Sequence, residues 1–169
     1  MPELLPDFVS VLLALEAARV RFVLIGGLAM VAHGSAHITE DIDICYARDG
    51  ENLAALVAAL KPSNPHLRGA PEGLPFLFDT RTFANAFNLT LTTDMGSVDL
   101  LAEVPGIGSF RELWVRSVIL ELEGTPVRVA SLDDLIAMKE AAARLKDQSH
   151  VLELRALRKL LAADGPSSE

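Results

Sequence analysis

A short apolar run, Phe22-Val23-Leu24-Ile25, leads into the glycine pair Gly26-Gly27, and a second run, Asp41-Ile42-Asp43-Ile44, follows a segment of small and polar residues. This order constrains the fold more than any other feature. On a strand, residues two apart point to the same face. Asp41 and Asp43 therefore project side by side, while Ile42 and Ile44 face the opposite layer. Two carboxylates held that close repel unless something positive sits between them, and a hard cation such as Mg²⁺ is the usual partner. The glycine pair opens a helix whose free N–H groups suit phosphates. A solvated acidic strand edge and a plain strand-to-helix turn are the competing readings.

The rest of the chain supplies elements around this centre. Leu4 to Val20 reads as an amphipathic helix with Phe8, Leu12 and Leu15 on one stripe. Arg21 to Ile25 and Asp41 to Tyr46 read as strands, with a short helix from Gly27 to Ala32 that stops at His33-Gly34. Gly50 to Leu60 is a helix packing through Leu53, Leu56, Val57 and Leu60. The Pro- and Gly-rich stretch Lys61 to Pro75 reads as a loop, either a connector or a lid. Strand-like pieces occupy Phe76 to Thr93, best at Phe87 to Thr92, and Asp94-Met95-Gly96 turns the chain into the strand Ser97 to Leu101. Phe110 to Ser117 is a short helix. Val118 to Leu122 and Val127 to Ala130 form a hairpin around Glu123-Gly124-Thr125. Ser131-Leu132-Asp133-Asp134 resembles a capping box opening a helix to about Leu145, and a last helix covers about Asp147 to Ala163.

Interleaved strands and helices closed by helices alone predict an α+β fold, a small mixed β-sheet flanked by helices with C-terminal helices. The length of 169 residues suits a single domain over 1–164, with 165–169 a disordered tail. Half the residues are hydrophobic and only 5% aromatic, which predicts an aliphatic core. A net charge of −8 argues against a broad nucleic-acid footprint. No apolar run reaches the roughly 18 residues of a membrane span. The start Met1-Pro2-Glu3 lacks a basic leader, and the lone Cys45 forms no internal disulfide. A cytoplasmic location is the expectation.

The pattern Ile25-Gly26-Gly27, then Asp41-Ile42-Asp43-Ile44, resembles the nucleotidyltransferase superfamily, the fold of DNA polymerase beta and of antibiotic nucleotidyltransferases. With Ala29, His33-Gly34 and Thr39 in between, the stretch looks most like small bacterial nucleotidyltransferases of the AbiEii-like toxin group. The resemblance implies Asp41 and Asp43 as Mg²⁺ ligands, and a two-metal site is possible for such chemistry. It implies Asp99, a polar residue within Gly96-Ser97-Val98-Asp99-Leu100-Leu101, as the third catalytic and metal-binding carboxylate near the acceptor hydroxyl. Asp94, a rival, fits a turn better. Gly26 and Gly27 would approach the nucleotide phosphates, where many relatives carry Gly-Ser. Lys139 and Lys146, within Leu135-Ile136-Ala137-Met138-Lys139 and Arg144-Leu145-Lys146-Asp147, resemble a basic element that points back to the triphosphate. Seven apart, they share a face if one helix continues. Two departures stand out: His37 where close relatives often have Arg, and His150 near the place of a second Asp. Histidine is charged only at lower pH, so His37 implies weaker triphosphate affinity or a changed substrate.

Taken together, the resemblance implies a Mg²⁺-dependent nucleotidyltransferase that moves NMP from an NTP, ATP included, to a hydroxyl acceptor. RNA or tRNA would suit a toxin with a cognate antitoxin. A protein or an aminoglycoside-like small molecule would suit other members, and the acidic charge favours the latter. A homodimer would complete a cleft built by so short a chain. The alternative is a catalytically weak or inactive nucleotide- or partner-binding module on the same fold. A metal-dependent hydrolase ranks lower, because the His-rich ligand sets common at such sites are missing.

Overall fold

The computed structural model describes residues 7–71, 73–84, 86–142 and 144–164. The first residues of the expected N-terminal helix and the tail 165–169 lie outside the described residues. The chain runs α1 (Phe8–Ala17), β1 (Phe22–Ile25), α2 (Gly26–Ala32), β2 (Asp41–Tyr46), α3 (Gly50–Leu60), β3 (His66–Leu67), β4 (Asn88–Thr93), β5 (Gly96–Leu101), α4 (Phe110–Arg116), β6 (Val118–Leu122), β7 (Thr125–Val129), α5 (Leu132–Ala142) and α6 (Leu145–Ala163). The strands form one mixed sheet ordered β3-β4-β5-β2-β1-β7-β6. Pairing is parallel between β2 and β5 and between β1 and β7, and antiparallel elsewhere. The architecture is the expected α+β fold with a mixed sheet and helices.

Local chemistry explains the boundaries. Asp7 caps α1, its carboxylate accepting from Ser10 N at 3.0 Å. Asp49 caps α3 in the same way through Asn52 N. Glu123 and Gly124 both carry positive φ, 49° and 79°. That is the backbone a two-residue hairpin turn requires, so the turn between β6 and β7 is one residue shorter than expected. Ser109 and Glu112 form a reciprocal capping box on α4. At α5 only half of the expected box forms. Ser131 Oγ accepts from Asp134 N at 3.1 Å, but the Asp134 carboxylate takes the Arg116 guanidinium instead.

The core is aliphatic. Leu12 and Leu15 of α1, Leu56 and Leu60 of α3, Leu24, Ile42, Ile44, Leu91, Val98 and Leu100 of the strands are all sealed from solvent. Strand alternation decides the rest. In β4 the pattern buries Leu89, Leu91 and Thr93 and exposes Asn88, Thr90 and Thr92. The open face of β4, β5 and β2 therefore carries the polar residues.

Two expectations fail here. The segment Lys61 to Pro75 contains a short 3-10 turn and β3, an edge strand paired with β4 (His66↔Thr92, Leu67↔Leu91). Between Phe76 and Ala86 no strand forms among the described residues. Phe78 and Phe83 are buried instead, with Phe83 stacked edge-on against Tyr46 at 5.5 Å. Burial of Phe83 against Tyr46, and of Phe78 against Phe83, overrides their strand propensity. Cys45, as expected, is a buried hydrophobe on β2, and burial pushes its thiol up to about 12. No helix among the described residues is long and apolar enough to cross a membrane.

Candidate active site

The register of the central strands places the acidic residues. β2 and β5 are parallel and set Asp43 directly opposite Asp99, with Asp41 opposite Ser97. Asp41 and Asp43 share the open face, while Ile42 and Ile44 are fully buried behind them. Val98 and Leu100 likewise face the core and Asp99 the opening. Asp94 stays outside the group, in the turn, where its Oδ2 accepts from Asn64 Nδ2 at 2.8 Å.

These carboxylates floor a cleft of about 690 Å³, rimmed by Gly26, Gly27, His37, Thr90, Lys139 and His150 among others. The Thr39 hydroxyl donates to Asp41 O at 3.1 Å and so fixes the turn that aims Asp41. A hollow of about 740 Å³ near Tyr46, Arg48 and Phe110 shares only Asn88 with this cleft and contains none of the three carboxylates.

Gly26 has φ 70°, in the left-handed region. A Cβ there would stand 2.9 Å from Asp43 Cγ and overlap one carboxylate oxygen. The glycine is thus needed both for the turn into α2 and for the room Asp43 occupies. Gly27 is nearly as confined, because a Cβ would lie 3.0 Å from His37 Cδ2 and from Thr39 Oγ1.

Electrostatics separates Asp43 from ordinary surface acids. Burial, a hydrogen bond with Asp99, and the negative charges of Asp99 and Asp41 push its carboxyl up to about 7, while Lys139 offsets part of this. Among the described residues, the three carboxylates face the charges of Lys139 and Arg68, so the group is short of positive charge. A divalent cation would relieve that deficit, and an all-oxygen donor set suits a hard ion such as Mg²⁺. Asp41, Asp43 and Asp99 are the residues that would hold it. Among the described residues, no three His, Cys, Asp or Glu side chains stand as a ready-made metal cage. One oxygen of Asp99 is already taken: Arg68 Nη2 donates to Asp99 Oδ1 at 2.7 Å and to Leu91 O at 2.9 Å.

Arg68 is the site neighbour that sequence reasoning missed. Its only signal was a lone arginine in a Pro- and Gly-rich segment. The edge strand β3 brings it to the sheet, and its own N–H donates to Thr90 O at 2.9 Å.

The C-terminal basic residues divide. Lys139, 17% exposed, lines the cleft with its Nζ 3.3 Å from Asp147 Oδ1. Arg144 holds the other oxygen of Asp147 at 2.7 Å. Asp147 is 1% exposed, and its carboxyl falls to about 2, chiefly through the hydrogen bond from Arg144. The side chain of Lys146 lies outside the described residues. The condition for a shared face of Lys139 and Lys146, one continuous helix, is not met, because α5 ends at Ala142 and α6 begins at Leu145. Arg144 between them has extended backbone (φ −84°, ψ 154°), and Asp147 accepts from its N–H at 3.3 Å. Such capping starts a new helix rather than continuing the old one.

The histidines have distinct roles. His33 Nε2 bonds the Ala130 carbonyl at 2.8 Å, a structural tie from α2 to the end of β7. His37 meets His150 edge-on, ring centroids 4.9 Å apart, at the cleft rim. His150 is held below its usual range, first by burial and then by the charges of Lys139 and His37. Arg155 pairs with Glu140 and Arg158 with Asp133 on the outer surface.

The fold is like that of solved nucleotidyltransferases. The chain superposes on two structures of ANT(2'')-Ia. One is the solution structure of this antibiotic-resistance factor, with TM-score 0.54 and 15% identity over 92% of this chain and 83% of that one. The other is its crystal structure in complex with adenylyl-2''-tobramycin, with TM-score 0.54 and 17% identity over 92% and 88%. It also superposes on TM1012 of Thermotoga maritima, described as a nucleotidyltransferase, with TM-score 0.51 and 17% identity over 93% and 94%. At these identities the likeness concerns the fold. No family model matches the chain, and no curated protein matches it in sequence.

Proposed function

We propose that this protein is a Mg²⁺-dependent nucleotidyltransferase that moves NMP from an NTP to a hydroxyl acceptor. The observation that carries the reading is the in-register pair Asp43 and Asp99 beside Asp41, on the floor of a cleft that Gly26, Gly27 and Lys139 rim. The acceptor oxygen would attack the α-phosphorus, forming a new P–O bond as the bond to the β-phosphate breaks and pyrophosphate leaves. Mg²⁺, when bound, would supply the positive charge that the phosphates and the three carboxylates need. Asp99 would take the acceptor's proton, Asp41 and Asp43 would hold the cation, and Lys139 would face the departing phosphates. Lys139 is braced by Asp147, so it meets the nucleotide in a fixed place. Lys146 is assigned to the same phosphates by resemblance alone.

The complex of ANT(2'')-Ia with adenylyl-2''-tobramycin supports ATP as donor and a cationic small molecule as the first acceptor to try. The net charge of −8 suits a cationic acceptor as well. The resemblance of the segment Gly26 to Ile44 to AbiEii-like proteins supports an RNA acceptor, a toxin role and an antitoxin or homodimeric partner. A second reading, a weakly active or inactive nucleotide-binding module, draws on Arg68's hold on Asp99 and on His37 where an arginine was expected.

Label transfer tests the reading. Protein, Mg²⁺ and each α-labelled NTP are incubated with tobramycin, tRNA or cell extract, beside Asp43→Ala. Label on one acceptor, lost in the variant, establishes the reaction. Nucleotide binding without transfer to any acceptor would favour the binding module.

A further inference from the structure

Along the open face of the sheet, one row runs across β2, β5 and β4 to the residue after β3. Asp43 stands opposite Asp99, Asp99 opposite Thr90, and Arg68 donates its N–H to Thr90 O just past the end of β3. Sheet order places Arg68 on one side of Asp99 and Asp43 on the other. The Asp99 carboxylate is thus held by Arg68 at 2.7 Å on one side and stands beside Asp43 on the other. Arg68 is itself fixed, because the same Nη2 is held by the Leu91 carbonyl.

Arg68 is poorly suited to be only a strut for the sheet edge. Among the described residues its Nε is buried with no hydrogen-bond partner, and a stranded donor costs stability. A residue there for edge stability alone would not leave one. What the guanidinium does achieve is directional. Held at one nitrogen between Leu91 O and Asp99 Oδ1, the planar guanidinium sets the direction of the carboxylate more firmly than a flexible ammonium would. Partners of this kind, bonded to a ligand from behind, orient it and raise metal affinity.

We propose that Arg68 is a positioning residue: it holds Asp99 from the β4 side so that the carboxylate faces Asp43, and so presets the oxygen cluster for a divalent cation. The proposal rests on the nucleotidyltransferase reading above. It assigns a purpose to the segment Lys61 to Pro75, which delivers Arg68 to the site rather than merely joining α3 to β4.

The test is Mn²⁺ binding, followed by electron paramagnetic resonance of the free ion, in the wild type, Arg68→Met, Arg68→Lys and Asp43→Asn. Arg68→Met should weaken Mn²⁺ binding about 10-fold with little change in melting temperature. Arg68→Lys should recover part of the loss, and Asp43→Asn should lose more than either. Should Arg68→Met fail to fold, Arg68→Lys carries the test through affinity intermediate between wild type and Asp43→Asn. Wild-type Mn²⁺ affinity in both Arg68 variants, with Asp43→Asn impaired, would overturn this proposal alone. A wild-type protein that binds no Mn²⁺, with or without ATP, would overturn the metal reading of the carboxylates and this proposal with it.

Discussion

Two charge clusters face the same cleft with opposite imbalances. On the strands, Asp41, Asp43 and Asp99 meet one nearby guanidinium, Arg68, and Asp43 is pushed up to about 7. At the α5–α6 elbow, the single carboxylate of Asp147 meets Lys139 and Arg144 and drops to about 2. The elbow is satisfied from within and serves to brace Lys139. The strand cluster is short of positive charge and must take it from outside. Charge shortage, rather than the mere presence of acids, is what separates a site from a scaffold.

The comparison is broken most directly at the elbow. Asp147→Asn removes the acid that bridges two cations, one of them largely buried. It should cost about 3 kcal/mol, measured by urea unfolding. On the strand side, Gly26→Ala should drive the Asp43 carboxylate from its place and lower label transfer about 100-fold. The read-out is initial rate at saturating NTP. Asp43→Asn should do the reverse of Asp147→Asn for stability. By removing one of three repelling acids it should stabilise the metal-free protein at pH 8 by about 1 kcal/mol, while abolishing transfer.

The pH dependence follows the same division. Asp43's folded pKa lies above the ordinary 3.8, so between about pH 4 and 7 the folded state holds the proton that the unfolded state releases. Its contribution to stability therefore falls as pH rises through that window. Asp147's folded pKa lies below 3.8, so its contribution is intact above about pH 4 and lost as pH falls towards 2. Melting curves of the metal-free protein should show the first loss, and Asp43→Asn should remove it. The smallest effect is expected from Arg158→Ala, which breaks the exposed pair with Asp133 and should shift stability by no more than about 0.5 kcal/mol.

Much of this arrangement was legible in the residues. β2 and α3 fall where the sequence placed them, because alternation in Asp41-Ile42-Asp43-Ile44 and the Asp49 cap are local signals. Asp99 could be picked out as the acid that a strand would turn away from Val98 and Leu100. What stayed hidden depends on distant partners. β3 is two residues long and exists through β4, so neither it nor Arg68 leaves a periodic trace. The place of the break before α6 was hidden too: expected near Lys146, it falls at Arg144, whose extended backbone and bond to Asp147 cap the new helix. Phe78 and Phe83 look like strand residues until Tyr46 is seen to receive Phe83.

The parallel pairing of β2 with β5 has a kinetic meaning. Asp43 and Asp99 lie far apart in the chain, and every segment from α3 to β4 must be looped out before they meet. Contacts of such long sequence separation slow folding, since closure entropy is spent before they reward it. Here the closing step also forces carboxylates together. The pairing that assembles the cleft is therefore a natural bottleneck of folding, one that a proton or a cation arriving early would ease.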